Sequence, residues 1–347
     1  MVESVEHVVV GAGPAGLRAA QAVAEAGREV LVLEKNEEIG PKTCAGGLSV
    51  KAVRELEALG LPSGAGLRLL AHAAFRDEGL VPLDPERAVI RTLSRRALGA
   101  LQAAWARAAG AEIRTGAPVS RIDLAERTLV AGGRPIRYRH LIGADGSRST
   151  VRRALGLASP RSFYAAEYNV PGVRLEPLSV AYDSAALASG YFWIFPHESY
   201  TSIGAGAHKG VVAPVTIRPY LEGRLRELGV EIGDTPYEGA TIEVDVVAFD
   251  HPGGVHLVGD AAGMASGLTG EGIYAALITG EETARRILDP AYPRPKTRAW
   301  LRIKRVHDAI GRAWLRRIPR ELSFALLPAL CRRPTTKRWL SSLFLEG

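Results

Sequence analysis

Four stretches carry the residue types that could do chemistry. The first is Gly11-Ala12-Gly13-Pro14-Ala15-Gly16, glycines at G-x-G-x-x-G spacing directly after the apolar run Val8-Val9-Val10. The second is Lys42-Thr43-Cys44-Ala45-Gly46-Gly47-Leu48-Ser49, a cysteine beside paired glycines that let backbone come close to a flat ligand. The third is Tyr191-Phe192-Trp193-Ile194-Phe195-Pro196, where alternation puts Tyr191, Trp193 and Phe195 on one face. The fourth is Gly259-Asp260, followed by Gly267-Leu268-Thr269-Gly270-Glu271-Gly272-Ile273.

The first stretch points to a nucleotide diphosphate. Gly11 allows a tight turn, Gly13 lets backbone approach a pyrophosphate, and Gly16 lets helix and strand pack closely. The helix that follows faces the phosphates with unpaired N–H groups and its positive dipole end. Glu34 closes the next apolar strand beside Lys35; its carboxylate can accept hydrogen bonds from an adenosine ribose and would repel a 2′-phosphate. Asp145-Gly146 ends another apolar strand, either as a ligand site at a strand's carboxyl end or as a plain β-turn. Asp260 can bond a ribityl or ribose hydroxyl, and the amides near Gly272-Ile273 open a helix that could face a negative ring edge. One nucleotide contacted by both ends of the chain fits a flavin better than NAD.

The elements that must position these residues follow from periodicity and punctuation. A helix is expected from Leu17 to Ala26, a strand at Val30 to Leu33, and a helix from Val50 to Leu59. Two or three strands are expected between Leu67 and Arg91. Ser94 caps a helix to about Ala109. Ala111 to Thr115, Val119 to Asp123 and Thr128 to Ala131 read as a β-meander ahead of the strand Arg137 to Ile142. Aromatic, alternating runs at 163–170, 179–182, 191–195 and 200–207 read as a largely antiparallel sheet, covered by a helix from Ile217 to Leu228. Past Pro293 the chain is helical and basic, with Arg298, Arg302, Lys304, Arg305, Arg312, Arg316, Arg317 and Arg320 among Trp300, Ile310 and Trp314. Such a region either anchors at an anionic bilayer or packs one side on the body.

Composition narrows the classes. The chain has 347 residues, 47% hydrophobic, with net charge +7 and two cysteines, Cys44 and Cys331. That length suggests about two domains. The charge favours acidic partners, yet neither zinc-finger spacing nor an aromatic-basic RNA signature is present, so nucleic acid is not expected. Two cysteines exclude a disulfide framework or metal cluster, and a redox pair between them is not expected. No apolar run approaches the roughly 18–20 residues of a spanning helix, and the first strand begins too early for a leader peptide. A cytoplasmic protein, or one peripheral on the cytoplasmic membrane face, is the expectation.

Taken together, the glycine fingerprint, Asp145-Gly146 and Gly259-Asp260 resemble the flavoproteins of the para-hydroxybenzoate hydroxylase type. Within that class, Lys42 to Ser49 is similar to the K-x-C-[GA]-G-G-L-S motif of the geranylgeranyl reductase family, and Tyr191 to Pro196 is similar to its Y-x-W-x-F-P motif. The resemblance spans roughly Val8 to Ile287. Two departures stand out: Ser266-Gly267-Leu268-Thr269 where the family often has a proline, and a short C-terminal region.

The resemblance implies an α/β fold: a Rossmann-like FAD-binding domain (1–75, 92–156, 251–290), an α+β substrate domain with an inserted antiparallel sheet (76–91, 157–250), and basic C-terminal helices (291–347). It implies non-covalent FAD, held through Ala15, Glu34, Cys44, Ala45, Gly47, Arg95, Asp260, Gly272 and Ile273, with Arg91 and Arg96 as neighbours able to replace Arg95. Val119 would reach the adenine through its backbone, and Lys35, Asp145, Gly259 and Gly270 would complete the cofactor set. Cys44, Tyr191 and Trp193 become catalytic candidates, and Tyr191, Trp193, Phe195 and Pro196 the substrate pocket. His197 and His208 read as structural. The implied activity is saturation of carbon–carbon double bonds in an isoprenoid chain by hydride from reduced flavin. NAD(P)H or ferredoxin would be the electron donor, a prenyl lipid the substrate, and an anionic membrane surface or a redox protein a further partner. The competing readings are an FAD-dependent aromatic monooxygenase or halogenase, and a non-catalytic flavin electron carrier. Tyr191 and Phe195 depart from the halogenase W-x-W-x-I-P pattern.

Overall fold

The structure is a computed structural model and describes residues 2–75 and 79–342. Among these residues, eight strands form a first sheet. Its parallel core runs in the order β18 (Val255–Leu257), β11 (Arg134–Gly143), β1 (Glu3–Val10), β2 (Val30–Leu33), β8 (Glu112–Arg114). The near-continuous Val, Leu and Ile runs of β1, β2 and β11 are buried on both faces, as parallel strands require. Helices α1 (Pro14–Glu25) and α7 (Ile273–Leu288) pack against each other beside it, and α3 (Arg95–Ala108), capped by the Ser94 hydroxyl, packs on α1. At the edges, β17 (Asp250–His251) is antiparallel to β18, while β9 (Val119–Asp123) and β10 (Thr128–Ala131) fold back on β11.

Position β8 corrects one expectation. It is not the first strand of the meander but runs parallel to β2. The intervening α3 is a crossover helix, which returns the chain in the same direction.

The second sheet has seven strands among the described residues, in the order β16 (Glu238–Glu243), β12 (Ser162–Pro171), β15 (Tyr200–His208), β14 (Tyr191–Pro196), β13 (Ser179–Tyr182), β5 (His72–Phe75), β6 (Val81–Pro82). All neighbours are antiparallel except β13 with β5. One face packs on α6 (Ile217–Glu227) through Phe192, Ile203 and Leu221. A small third sheet joins β3 (Gly47–Leu48), β7 (Val89–Thr92) and β4 (Leu67–Leu70). Helix α2 (Val50–Glu57) follows β3; α4 (Thr150–Ala154) and α5 (Ser184–Leu187) are short. Among the described residues, the stretch 67–91 therefore contributes four strands, shared between two sheets, rather than the two or three expected. The chain joins the seven-stranded sheet at His72, ahead of the boundary expected at 76; residues 76–78 lie outside the described set.

Among the described residues, three helices follow α7: α8 (Pro295–Trp314), α9 (Arg317–Arg332) and α10 (Pro334–Ser341). Trp300, Lys304, His307, Gly311 and Trp314 recur every three or four residues on α8 and are buried, so this helix packs one face on the body. No helix among the described residues is long and apolar enough to cross a membrane.

Candidate functional site

One cavity of about 690 Å³ runs between the first sheet, the second sheet and the C-terminal helices. At one end the carboxyl ends of β1, β2 and β11 deliver Gly11, Gly13, Ala15, Glu34, Lys35 and Asp145 to its wall. This is the point where strand order reverses, from β1 toward β2 on one side and β11 on the other. Gly11 adopts φ +102°, and a Cβ there would meet the Ala144 carbonyl at 2.6 Å. A Cβ on Gly16 would lie 2.0 Å from the Gly11 carbonyl, so Gly16 serves helix–strand packing and stays off the cavity wall.

Glu34 grips the loop it faces. Its carboxylate accepts from the Ala12 amide (2.8 Å) and the Asn36 amide (3.0 Å). Asp145 turns inward: its carboxylate accepts from the Ser149 hydroxyl (2.5 Å) and the Thr150 amide (2.6 Å), capping α4, and burial pushes it up. Arg95 reaches the wall, whereas Arg91 pairs with Glu57 (2.8 Å) and exposed Arg96 pairs with Glu38. Val119 lines the cavity with Ala117 and Pro118.

From the far end of the chain, Asp260, Gly270, Gly272 and Ile273 meet the same wall. Lys42 donates to the Asp260 carboxylate across the mouth at 2.9 Å. Gly259 stays behind, its amide donating to Thr279 Oγ1 (3.0 Å) while it packs against Ala15. Helix α8 holds the loop before Gly272. Trp300 donates to the Met264 carbonyl (3.0 Å), Lys304 to the Ala265 carbonyl (2.8 Å), and His307 Nδ1 shares a hydrogen bond with Ser266 Oγ (3.0 Å). The Ser266 hydroxyl in turn accepts from the Leu268 and Thr269 amides.

Tyr191, Trp193 and Phe195 of β14 all face the cavity, as the alternation predicts, while Phe192 and Ile194 join the core on the other side. Pro196 is buried off the wall; its carbonyl accepts from the Thr92 hydroxyl (2.7 Å). The Tyr191 hydroxyl donates to the Thr269 carbonyl (2.9 Å), tying the second sheet to the glycine loop, and burial pushes its phenol well above the usual range.

Cys44 faces the cavity from a loop that sequence reasoning did not connect to its holders. Glu167 of β12 is 0% exposed and accepts from the Cys44 amide (2.7 Å) with one oxygen and from the Ser202 hydroxyl (2.8 Å) with the other. The Ser202 oxygen accepts from the Trp193 indole (3.0 Å). One carboxyl thus fixes both Cys44 and Trp193, and burial pushes it up. His197 Nε2 donates to the Ala45 carbonyl (2.9 Å) and stacks on Tyr200. Only the acidic Glu167 inside the otherwise uncharged run 163–170 signalled this arrangement in the sequence.

Beyond the aromatic strand the cavity becomes apolar. Phe75 and Tyr182 line it from the second sheet, Leu327 and Cys331 from α9, Leu340 from α10. The cysteines are free, and both touch this cavity.

The residues fit FAD. A Cβ on Gly13 would meet nothing within 4 Å, leaving a bare backbone cradle at the start of α1. Arg95 Nε is buried on the wall without a hydrogen-bond partner, a donor that a diphosphate would satisfy.

Residues 4–278 match the family described as FAD binding domain. The chain is 33% identical over 309 residues to digeranylgeranylglycerophospholipid reductase 1 of Methanopyrus kandleri, covering 79% of this chain and 77% of that protein. It is 30% identical over 319 residues to a menaquinone reductase of Mycobacterium tuberculosis, covering 83% and 77%. A solved geranylgeranyl bacteriochlorophyll reductase-like protein of Thermoplasma acidophilum superposes with TM-score 0.77 over 99% of this chain and 100% of that one, at 22% identity, a likeness of fold.

Proposed function

The chain belongs to the geranylgeranyl reductase family of FAD-binding proteins, and on that premise we propose that it saturates carbon–carbon double bonds in the isoprenoid chain of a prenyl lipid. The observation that carries this reading is the shape of one cavity. Its polar end suits a dinucleotide and its apolar end suits a hydrocarbon chain, with Cys44, Tyr191 and Trp193 between them.

Reduced FAD, when bound, supplies a hydride to one carbon of an isolated double bond, and the other carbon takes a proton. The chain's own residues do the rest. Gly13, Ala15 and Arg95 hold the diphosphate, Glu34 the ribose, and Asp260 with the amides of Gly272 and Ile273 the ribityl and ring side. Val119 offers backbone to the adenine. Trp193 and Phe195 lay the alkene flat, while Phe75, Tyr182 and Leu327 exclude water. Proton delivery falls to Cys44, because the Tyr191 proton is committed to the Thr269 carbonyl and burial makes that phenol a poor acid. NAD(P)H or a ferredoxin would return electrons to the flavin. A prenyl lipid resides in a bilayer, so the setting we favour is the cytoplasmic face of a membrane; two free cysteines suit a reducing compartment.

Mass spectrometry of prenyl lipids incubated with the chemically reduced holoprotein tests this. Two hydrogens gained per double bond without oxygen is the expected result. Product formed only with oxygen, heavier by an oxygen atom, would move the protein to the monooxygenases.

A further inference from the structure

We propose that the outer face of α9, together with Trp339 of α10, docks this protein on an anionic lipid bilayer, and that the prenyl chain passes into the cavity through the helical wall behind that face. The second half rests on the reductase reading; the first does not.

Ile318, Leu322 and Leu326 stand four residues apart on α9 and form one stripe. They are 73%, 60% and 61% exposed, and Trp339 is 63% exposed. Among the described residues, these are four of the ten exposed large apolar side chains, gathered into 22 of 347 positions. Scattered exposed side chains need no explanation, but a contiguous stripe does.

Charge selects the partner. Arg316, Arg317, Arg332, Arg333 and Arg338 are exposed around the stripe. From 295 to 342 the only acidic residues are Asp308 and Glu321, and neither is fully exposed. An apolar stripe flanked by arginines, with an exposed tryptophan on the following helix, matches acyl chains beneath anionic headgroups. The stripe lies on the membrane rather than across it, since no described helix is suited to span.

Continuity gives the route. The opposite face of the same helix presents Leu327 and Cys331 to the cavity, and α10 adds Leu340 and Ser341. A chain dissolved in the bilayer under α9 is therefore one helix thickness from the apolar end of the cavity.

The test uses the full-length holoprotein and phosphatidylcholine vesicles with or without phosphatidylglycerol. Flotation should show binding only with phosphatidylglycerol. Binding should fall roughly fivefold per arginine replaced in Arg332→Ala and Arg333→Ala, and on the order of tenfold or more in Leu322→Glu with Leu326→Glu. Both leucines are exposed, so the fold should survive, as circular dichroism would show. Brominated lipid should quench tryptophan emission, with the quenched component absent in Trp339→Phe. Turnover by the double leucine variant should fall on vesicle-borne prenyl lipid and hold on detergent-dispersed prenyl chains. Vesicle binding unchanged by the leucine variants overturns the docking face. A wild-type dimer in light scattering that these variants dissociate assigns the face to a second copy instead. Equal loss of turnover on dispersed and vesicle-borne chains overturns the route through α9.

Discussion

Glu167 shows how one side chain sets several others. Its two oxygens take the Cys44 amide and the Ser202 hydroxyl, and Ser202 takes the Trp193 indole. Removing both acceptors in Glu167→Ala should cost about 2–4 kcal/mol through unpaired buried donors, and should speed alkylation of Cys44 by iodoacetamide. Glu167→Gln keeps an acceptor for the Cys44 amide and should leave that rate near wild type. The acid also titrates with a defined sign. Burial raises its native pKa above 4.5, so the folded state binds the proton more tightly than the unfolded chain. Its contribution to stability is therefore largest in acid and declines as pH rises from about 4.5 through the raised native value. Glu167→Gln should remove that decline from a plot of Tm against pH. Tyr191 makes a simpler case. Tyr191→Phe leaves the Thr269 carbonyl without its donor and should weaken FAD retention about fivefold, a net hydrogen bond of about 1 kcal/mol, measurable by flavin fluorescence.

At the scale of elements, helix α8 is a clamp. Lys304 is buried and donates to two carbonyls, Val244 (2.7 Å) and Ala265 (2.8 Å), besides pairing with Asp308. Burial pushes its pKa down, and the acceptors around the ammonium hold the charge in place. Lys304→Met should cost about 2–4 kcal/mol by stranding those carbonyls, and should loosen FAD more than a surface change of equal stability cost. Equal FAD affinity in Lys304→Met would sink the clamp. Three neighbouring strands supply the opposite pH limb. His7 of β1, His140 of β11 and His256 of β18 stack in a row, 5.3 and 5.7 Å apart. Burial first, and then the neighbouring imidazoles, hold His140 down at about 4; burial lowers His7 as well. Protonation therefore favours the unfolded chain. Stability is full above about 6.5 and is lost as pH falls toward about 4. His140→Phe should flatten the acid limb of the Tm profile.

At the scale of the molecule, the C-terminal helices complete the cavity rather than trail from it. Phe324 of α9 is fully buried, with ring centroids 5.9 Å from Phe75, 5.4 Å from Tyr182 and 4.9 Å from Trp314. Phe324→Ala should cost about 3–5 kcal/mol and open the apolar end of the cavity. Binding of a prenyl chain should weaken more than binding of FAD, because the dinucleotide loops lie at the other end. Isothermal titration with each ligand separates the two effects.

The local devices were legible in the chain itself. The glycine fingerprint, the strand Val30–Leu33, the Ser94 cap and the inward face of Tyr191, Trp193 and Phe195 follow from steric rules and periods that act within a few residues. What lies far apart in sequence was not legible. The parallel placement of Glu112–Arg114, the grip of Glu167 and His197 on the Cys44 loop, and the α8 clamp on Met264 to Ser266 all join residues dozens to hundreds of positions apart. No local pattern encodes such contacts, because they depend on which sheet and which edge a segment joins. The basic C-terminal stretch shows the boundary most plainly. Sequence determined that it would be helical and cationic. Only the tertiary structure decided that α8 turns its buried side to the glycine loop while α9 leaves an apolar stripe uncovered, because burial is fixed by what each helix packs against.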